Sequence, residues 1–558
     1  MRTVEAGGSE HRSTAAWWRN AVVYQVYIRS FADSNGDGIG DIAGIRSRLD
    51  YLAGLGVDAI WITPWYRSPM ADGGYDVADY RDIDPLFGTL DDARDLILDA
   101  HGRGIRVIVD LVPNHTSSAH RWFVEALEAP RGSAARSRYI FRDGRGPGGT
   151  EPPNNWRSTF GGAAWTAAPD DGAEPQQWYL HLFDSSQPDL NWNNREVRAE
   201  FESILRLWLD FGVDGFRIDV AALLEKDPGL PDIPPAGIDS PRSGDEPSAH
   251  PFVDREGVHD IYRRWRRIVD ESGREAIFCG EIALAAPRIA RYLRPDELHT
   301  AFNFDFALRG WDAGELRASI DATLASHAAV GAPPTWVLGN HDLPRPVYKY
   351  GRMDDDRPWN AWERVAPADP ALGFARARAA ALLYLALPGG VYIYQGDELG
   401  LPEVLDLPAE ARQDPTFRRT GGADVGRDGC RVPIPWSGDR PPYGFGPEGS
   451  RPWLPQPAIW AELSVEAETA DPDSTLALYR AALSLRRTHP GFAGDEFRWL
   501  PGPADTFEFA RSGRLRCAVN LSAVDMPLPG DAVVLLASGP IHGALLPPDT
   551  AAWFEAAE

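Results

Sequence analysis

The feature that most limits what this chain can fold into is an alternation, eight times over, of short apolar runs with amphipathic helix patterns. The runs are AVVYQVYIRSF (21–31), VDAIWITPWY (57–66), GIRVIVDLVPNH (104–115), GVDGFRIDVA (212–221), REAIFCGEIA (274–283), LHTAFNFDF (298–306), TWVLGNHD (335–342) and GVYIYQGDE (390–398). Between them lie helical periods such as Ile42, Ile45, Leu49 and Leu52, or Ala93, Leu96, Ile97 and Ala100. Strand and helix in strict turn specify a parallel sheet with helices outside it. Eight units predict an α/β fold closed as a (β/α)8 TIM barrel, with chemistry at the C-terminal strand ends. An open doubly wound sheet is the competitor. It loses because no run is followed by a GxGxxG turn and because charged residues end strands across the whole set.

Two stretches break the rhythm. From 116 to 182 the chain is rich in Gly, Pro and aromatics without a long helix, which predicts a small domain inserted after strand three. From about 493, short runs (TFEFAR, RCAVNL, AVVLLA) between Pro/Gly turns predict a C-terminal antiparallel β-domain. The expected division is therefore a barrel over 1–115 and 183–490, an insert over 116–182 and a β-domain over 491–558. Segments 227–257, 351–372 and 400–458 follow chemistry-bearing strands and are expected to shape or cover a pocket.

Charge narrows the class of partner. The net charge of −25, with Lys226 and Lys349 the only lysines, repels phosphate backbones and anionic membranes. Neutral small molecules are the expected partners, with neither nucleic acid nor membrane, for a monomer or homodimer. Cys279, Cys430 and Cys517 are too few and scattered for a disulfide framework or a zinc site. The N-terminus lacks a signal-peptide core, and no run approaches the roughly 20 apolar residues of a membrane helix. A cytoplasmic location is the expectation.

The strand ends carry the chemistry. Strand four ends in Arg217-Ile218-Asp219, strand five in Gly280-Glu281 and strand seven in Asn340-His341-Asp342. One acidic residue at a strand end is commonly a cap or an ion pair; three, joined by His115, His341 and Arg217, are a constellation. Adjacent parallel strands lie about 4.8 Å apart, so Asp219 and Glu281 can face each other at about 5–5.5 Å, the spacing of a retaining glycosidase pair. One carboxylate would attack an anomeric carbon and the other protonate the leaving oxygen. Arg217 is expected to keep Asp219 ionised, while Glu281 must hold a proton.

The ordered segments YQVYIRSF, DLVPNH, QPDLNW, GFRIDVA, GEIA, GNHD and IYQGDELGLP resemble those of the α-amylase superfamily, glycoside hydrolase family 13, over roughly 17–490. QPDLNW and GRDGCRVPIPW resemble its exo-acting α-glucosidase and oligo-1,6-glucosidase branch. The resemblance implies Asp219 as nucleophile, Glu281 as proton donor and Asp342 as the carboxylate that holds the sugar distorted. It implies that His115, His341 and Arg217 surround the first sugar, that Asp72 takes a terminal hydroxyl and that Tyr75 stacks on the ring. Arg427 would pair with Asp72 and close the pocket, with Arg431 the alternative for that role. Phe160, Phe183 and Gln187 match residues of the pocket entrance. Val220, after the nucleophile, resembles the oligo-1,6-glucosidase pattern, which leaves α-1,4 against α-1,6 linkage open.

The loop Asp33-Ser-Asn35-Gly-Asp37-Gly-Ile39-Gly-Asp41 offers oxygens at alternating positions but lacks the twelfth-position Glu of an EF-hand. In the similar α-glucosidases such a loop binds a structural ion, so Ca²⁺ or Mg²⁺ is expected on Asp33, Asn35, Asp37, Ile39 and Asp41, with no organic cofactor. Three readings follow: hydrolysis of terminal α-glucosides, glucosyl transfer or isomerisation through the same intermediate, and an inactive binding subunit. The intact carboxylates speak against the last.

Overall fold

In the computed structural model, residues 16–170, 172–234, 250–352 and 368–556 are described. Eight parallel strands form the central sheet: β1 (Val22–Val26), β2 (Ala59–Ile62), β3 (Arg106–Leu111), β4 (Gly215–Ile218), β5 (Ile277–Gly280), β6 (Thr300–Ala301), β7 (Thr335–Val337) and β8 (Gly390–Tyr394). Their order runs β6-β5-β4-β3-β2-β1-β8-β7. The Asn303 N–H donates to the Thr335 carbonyl at 3.2 Å, and the Thr300 and Thr335 hydroxyls are hydrogen-bonded, so β6 meets β7 and the barrel closes.

Local sequence sets these elements. The helix Leu90–His101 starts at a capping box, Thr89 with Asp92, and buries Ala93, Leu96, Ile97 and Ala100. The helix Arg195–Phe211 is capped by Asn194, buries Val197, Phe201, Ile204, Leu205, Trp208 and Leu209, and stops at Gly212 in the left-handed region. Strands β1, β2, β4, β5 and β8 are buried along their whole length, which explains their continuous apolar runs.

Side chains alternate across each strand, and the inward set forms its own apolar cluster containing Val23, Ala59, Trp61, Ile108, Ile277, Val337 and Tyr392. Near the C-terminal end that set turns polar: Gln25 stands opposite Trp61, and Asp110 opposite Arg217. The site grows from this polar layer.

All eight strands are shorter than their apolar runs, and two of them end in a helical turn. The first stops at Val26 and gives way to a 3-10 turn, Ile28–Ser30. The sixth keeps only Thr300–Ala301, because the Asn303 side chain accepts from the Phe306 N–H and starts a short helix, Phe304–Ala307.

The insert holds a three-stranded antiparallel sheet of Phe141–Asp143, Gln177–Leu180 and Trp165–Ala167. Its apolar core includes Leu230, Ile233, Phe252 and Val253 from the stretch after β4. That stretch is thus pinned to the insert where it is described; the loops expected at 227–257 and 351–372 otherwise lie outside the described residues. A five-stranded antiparallel sheet, Arg498–Trp499 through Thr550–Glu555, forms the C-terminal β-domain. No helix among the described residues is long and apolar enough to cross a membrane.

Candidate active site

Strand register puts the two central carboxylates side by side. Ile218 pairs with Gly280, so Asp219 and Glu281 are the next residues on neighbouring strands. The Glu281 N–H donates to the Ile218 carbonyl, and the Ala221 N–H to the Glu281 carbonyl, both at 2.9 Å. Arg217, one pleat below Asp219, is fully buried among three acids. Its Nη1 lies 2.7 Å from Asp219 Oδ1 and 3.0 Å from Asp110 Oδ1, and its Nη2 lies 2.7 Å from Glu281 Oε2.

One positive charge therefore faces three carboxyl groups. Burial pushes the Asp219 carboxyl well up; Arg217 opposes that shift, while Glu281 and Asp110 reinforce it. This corrects the expectation that Arg217 holds Asp219 ionised, since desolvation outweighs the guanidinium. Burial also moves Asp110 up to about 6. The cluster as a whole retains a proton more readily than isolated carboxylates do.

Val220, directly after Asp219, has φ of 38°, a left-handed conformation that a β-branched residue rarely adopts. Its N–H donates to Glu281 Oε2 at 3.0 Å. The strain is local to the site, where such outliers concentrate.

At the far end of the pocket, Arg427 joins three acids. Its Nη2 is 2.7 Å from Asp72 Oδ1, its Nη1 3.0 Å from Asp342 Oδ1 and its Nε 2.6 Å from Asp414 Oδ2. Arg427 thus takes the partner that the sequence offered it. Arg431, the alternative, instead holds Asp342 Oδ1 at 2.8 Å and the His341 carbonyl at 2.8 Å. Burial works against ionised Asp342, yet the Arg427 and Arg431 guanidiniums, with the His341 Nε2–H beside it, hold its carboxyl far below the usual range. Burial moves Asp72 up to about 6 against the pull of Arg427. Gln187 donates to Asp72 Oδ2 at 3.1 Å. Gly74, at φ of 108°, allows Asp72 and Tyr75 to enter together: a Cβ there would meet the Pro64 carbonyl at 2.8 Å.

The histidines are neutral. Burial lowers His115 to about 4 and His341 well below the usual imidazole value. Gln25 Nε2 lies 2.7 Å from His341 Nδ1 and donates to it, which leaves the proton on Nε2, 3.4 Å from Asp342 Oδ2. The His341 ring is sandwiched by Tyr75 (5.2 Å between centroids) and Tyr27 (5.6 Å). Tyr75 also donates to Asp110 Oδ2 at 2.9 Å. Phe160 and Phe183 meet edge to face at 5.5 Å, with Arg427 over the Phe160 ring.

A cavity of about 160 Å³ is lined by Asp72, Tyr75, His115, Phe160, Phe183, Asp219, Val220, Glu281, Asp342 and Arg427, with Phe304, Leu308 and Leu343 completing one wall. Arg217, Gln187 and His341 stand directly behind it. Sequence reasoning missed Gln25, Asp110 and Asp414. The signal for the first two was a polar residue inside an apolar strand run.

The Asp33–Asp41 loop is formed, with its acids turned on its own backbone. Asp33 accepts from the N–H of Asn35, Gly36 and Gly38; Asp37 accepts from Ile39; Asp41 accepts from Ser34 and caps the next helix at Gly44. Among the described residues no group of three or more His, Cys, Asp or Glu stands ready for a metal ion.

Known proteins resemble the chain over most of its length. The model of the α-amylase catalytic domain matches residues 25–494, and a domain of unknown function, DUF3459, matches 485–553. A probable α-glucosidase of Rhizobium meliloti (strain 1021) is 37% identical over 522 residues, covering 91% of this chain and 89% of that protein. An oligo-1,6-glucosidase of Parageobacillus thermoglucosidasius is 36% identical over 504 residues, covering 85% and 84%. The crystal structure of the α-glucosyl transfer enzyme XgtA superposes with a TM-score of 0.83 at 36% identity, covering 97% of this chain and all of that one. The chain belongs to the α-amylase family, glycoside hydrolase family 13.

Proposed function

We propose that this protein is an exo-acting, retaining α-glucosidase that removes the terminal non-reducing glucose from maltose, isomaltose or short oligosaccharides. The observation that carries the reading is the Asp72–Arg427–Asp342 bridge, which walls the pocket that Asp219 and Glu281 also line. Asp219 is the nucleophile: its carboxylate attacks the anomeric carbon as Glu281 gives a proton to the leaving oxygen. Glu281, deprotonated by that step, then takes a proton from the incoming water, and the Asp219 ester bond breaks. Neighbouring strand ends supply the roughly 5 Å separation that such a double displacement requires. Asp342, His341, His115 and Asp72 take the ring hydroxyls, with Tyr75, Phe160, Phe183 and Gln187 around them.

The test is the anomeric configuration of the first product, read by NMR on 4-nitrophenyl α-glucoside. α-Glucose is the expected product, and β-glucose overturns the retaining assignment. Asp219→Ala should lose at least about 10⁴-fold in kcat, as expected for removal of a covalent nucleophile. External azide should partly restore it as β-glucosyl azide. Initial rates on maltose and isomaltose decide the linkage.

The enzyme works as a monomer or homodimer on small neutral glucosides. Its buried, unbridged thiols suit the reducing cytoplasm. At the Asp33–Asp41 loop, a Ca²⁺ or Mg²⁺ ion would bind with the second lone pairs of acids already held by backbone N–H groups, so its role is structural. Added Ca²⁺ should raise Tm over the chelated protein with little change in initial rate. An identical Tm with and without chelator removes the ion from the account.

A further inference from the structure

The short helix Pro415–Arg419, in the long segment after β8, sits behind the pocket and is tied to several of its parts. Its cap, Asp414, holds Arg427 Nε at 2.6 Å. Arg418 donates to the Ala71 carbonyl at 2.7 Å, beside Asp72. Arg419 turns the other way, to the insert. Its Nε and Nη2 donate to the Gly161 carbonyl at 3.0 and 2.7 Å, and its Nη1 lies 3.5 Å from Asp184 Oδ2. Gly161 follows Phe160, and Asp184 follows Phe183. One guanidinium therefore grips the chain directly after each of two aromatic residues that line the cavity.

Those rings stand at the end of the pocket that Arg427 closes. The Arg427 guanidinium lies 4.9 Å from the Phe160 centroid, and the Phe183 ring lies 5.1 Å from that of His115. Within the insert the two aromatic segments hold each other: the Thr159 N–H donates to the Leu182 carbonyl and Ser158 Oγ to the Phe183 carbonyl, both at 2.8 Å. Arg419 fastens this pair to the segment that carries Arg427. A planar fork of N–H donors suits the task, because it serves a carbonyl and a carboxylate at once.

We propose that Arg419 is a positioning residue for sugar binding, which holds Phe160 and Phe183 in place through the residues that follow them. The inference rests on the α-glucosidase reading. Aromatic walls that shift away from a bound sugar cover less of its apolar face. That contact is shared by ground and transition states, so its loss falls on KM. Asp219 and Glu281 belong to β4 and β5, and kcat should change less.

Initial rates on 4-nitrophenyl α-glucoside test the role. Arg419→Ala should raise KM about tenfold with kcat within about threefold of wild type. Arg419→Lys keeps a charge opposite Asp184 but lacks the fork, so KM should still rise about threefold. In a Phe160→Ala, Phe183→Ala background, Arg419→Ala should add less than about twofold to KM, because the groups it positions are already gone. An unchanged KM in both Arg419 variants, a loss confined to kcat, or the full rise in KM repeated in the double-alanine background overturns the inference. Nitrophenol release by the wild type upholds the glucosidase reading in each of those cases. No release by the wild type overturns both.

Discussion

Arg217 offers one positive charge to Asp110, Asp219 and Glu281, and that imbalance governs the pH response. As the proposed nucleophile, Asp219 must be ionised to attack, yet burial holds its proton. The acid limb of kcat/KM is therefore expected above the value near 4 of an ordinary carboxylate; a limb at or below 4 would contradict the arrangement. Stability moves the other way. Asp72 rises from 3.8 to about 6 on folding, so protonated Asp72 favours the fold. Its contribution is complete below about pH 4 and is lost as pH rises through about 6. Denaturant titrations of wild type and Asp72→Asn at pH 4 and pH 7 should show the wild-type advantage shrinking by about 2–3 kcal/mol. An advantage that grows with pH would mean that the Arg427 pair outweighs desolvation.

Between elements, the stretch after β4 is tied to the loop after β3 by a buried cation. Lys226 Nζ lies 2.6 Å from both Asp189 Oδ2 and Asn114 Oδ1. Asn114 Nδ2 in turn reaches His115 Nδ1 at 3.1 Å, so the pocket-lining histidine takes its orientation from a tether across two loops. Lys226→Met leaves Asp189 charged, buried and short of its partner, which costs about 3–5 kcal/mol. With His115 released, KM for maltose should rise about tenfold while kcat changes less. Unchanged KM in a destabilised variant would make the tether purely structural. This link was not legible in the sequence, because it joins residues 112 positions apart. The same holds for Asp414, whose neighbours are set by a long loop. What could be read were the features fixed by local period: eight strands, their following helices and the acids that end them. Strand length was lost where a cap intervened, as at Asn303, since an apolar run serves a short helix as well as a strand.

At the scale of the molecule, the helix Pro370–Ala386 joins the barrel to the C-terminal domain. All of its residues from Ala379 to Ala386 are buried, as expected of a helix covered on more than one side. The C-terminal sheet grips it through Trp553, whose Nε1 donates to the Leu382 carbonyl at 2.9 Å, and through Arg511, which donates to the Ala386 carbonyl. From the helix side, Arg378 donates to the Ser538 carbonyl at 2.8 Å. Phe507, Phe509, Leu515 and Trp553 belong to the same continuous core as Leu382, Leu383 and Leu385. A barrel deprived of that sheet would expose this apolar strip to water. Truncation after residue 490 should therefore give aggregated protein, and Trp553→Ala should cost about 3–5 kcal/mol through the cavity it leaves. Calorimetry of the whole chain should show the C-terminal domain and barrel melting in one transition. Two resolved transitions, with activity surviving the first, would mean that the sheet covers the helix without stabilising the site.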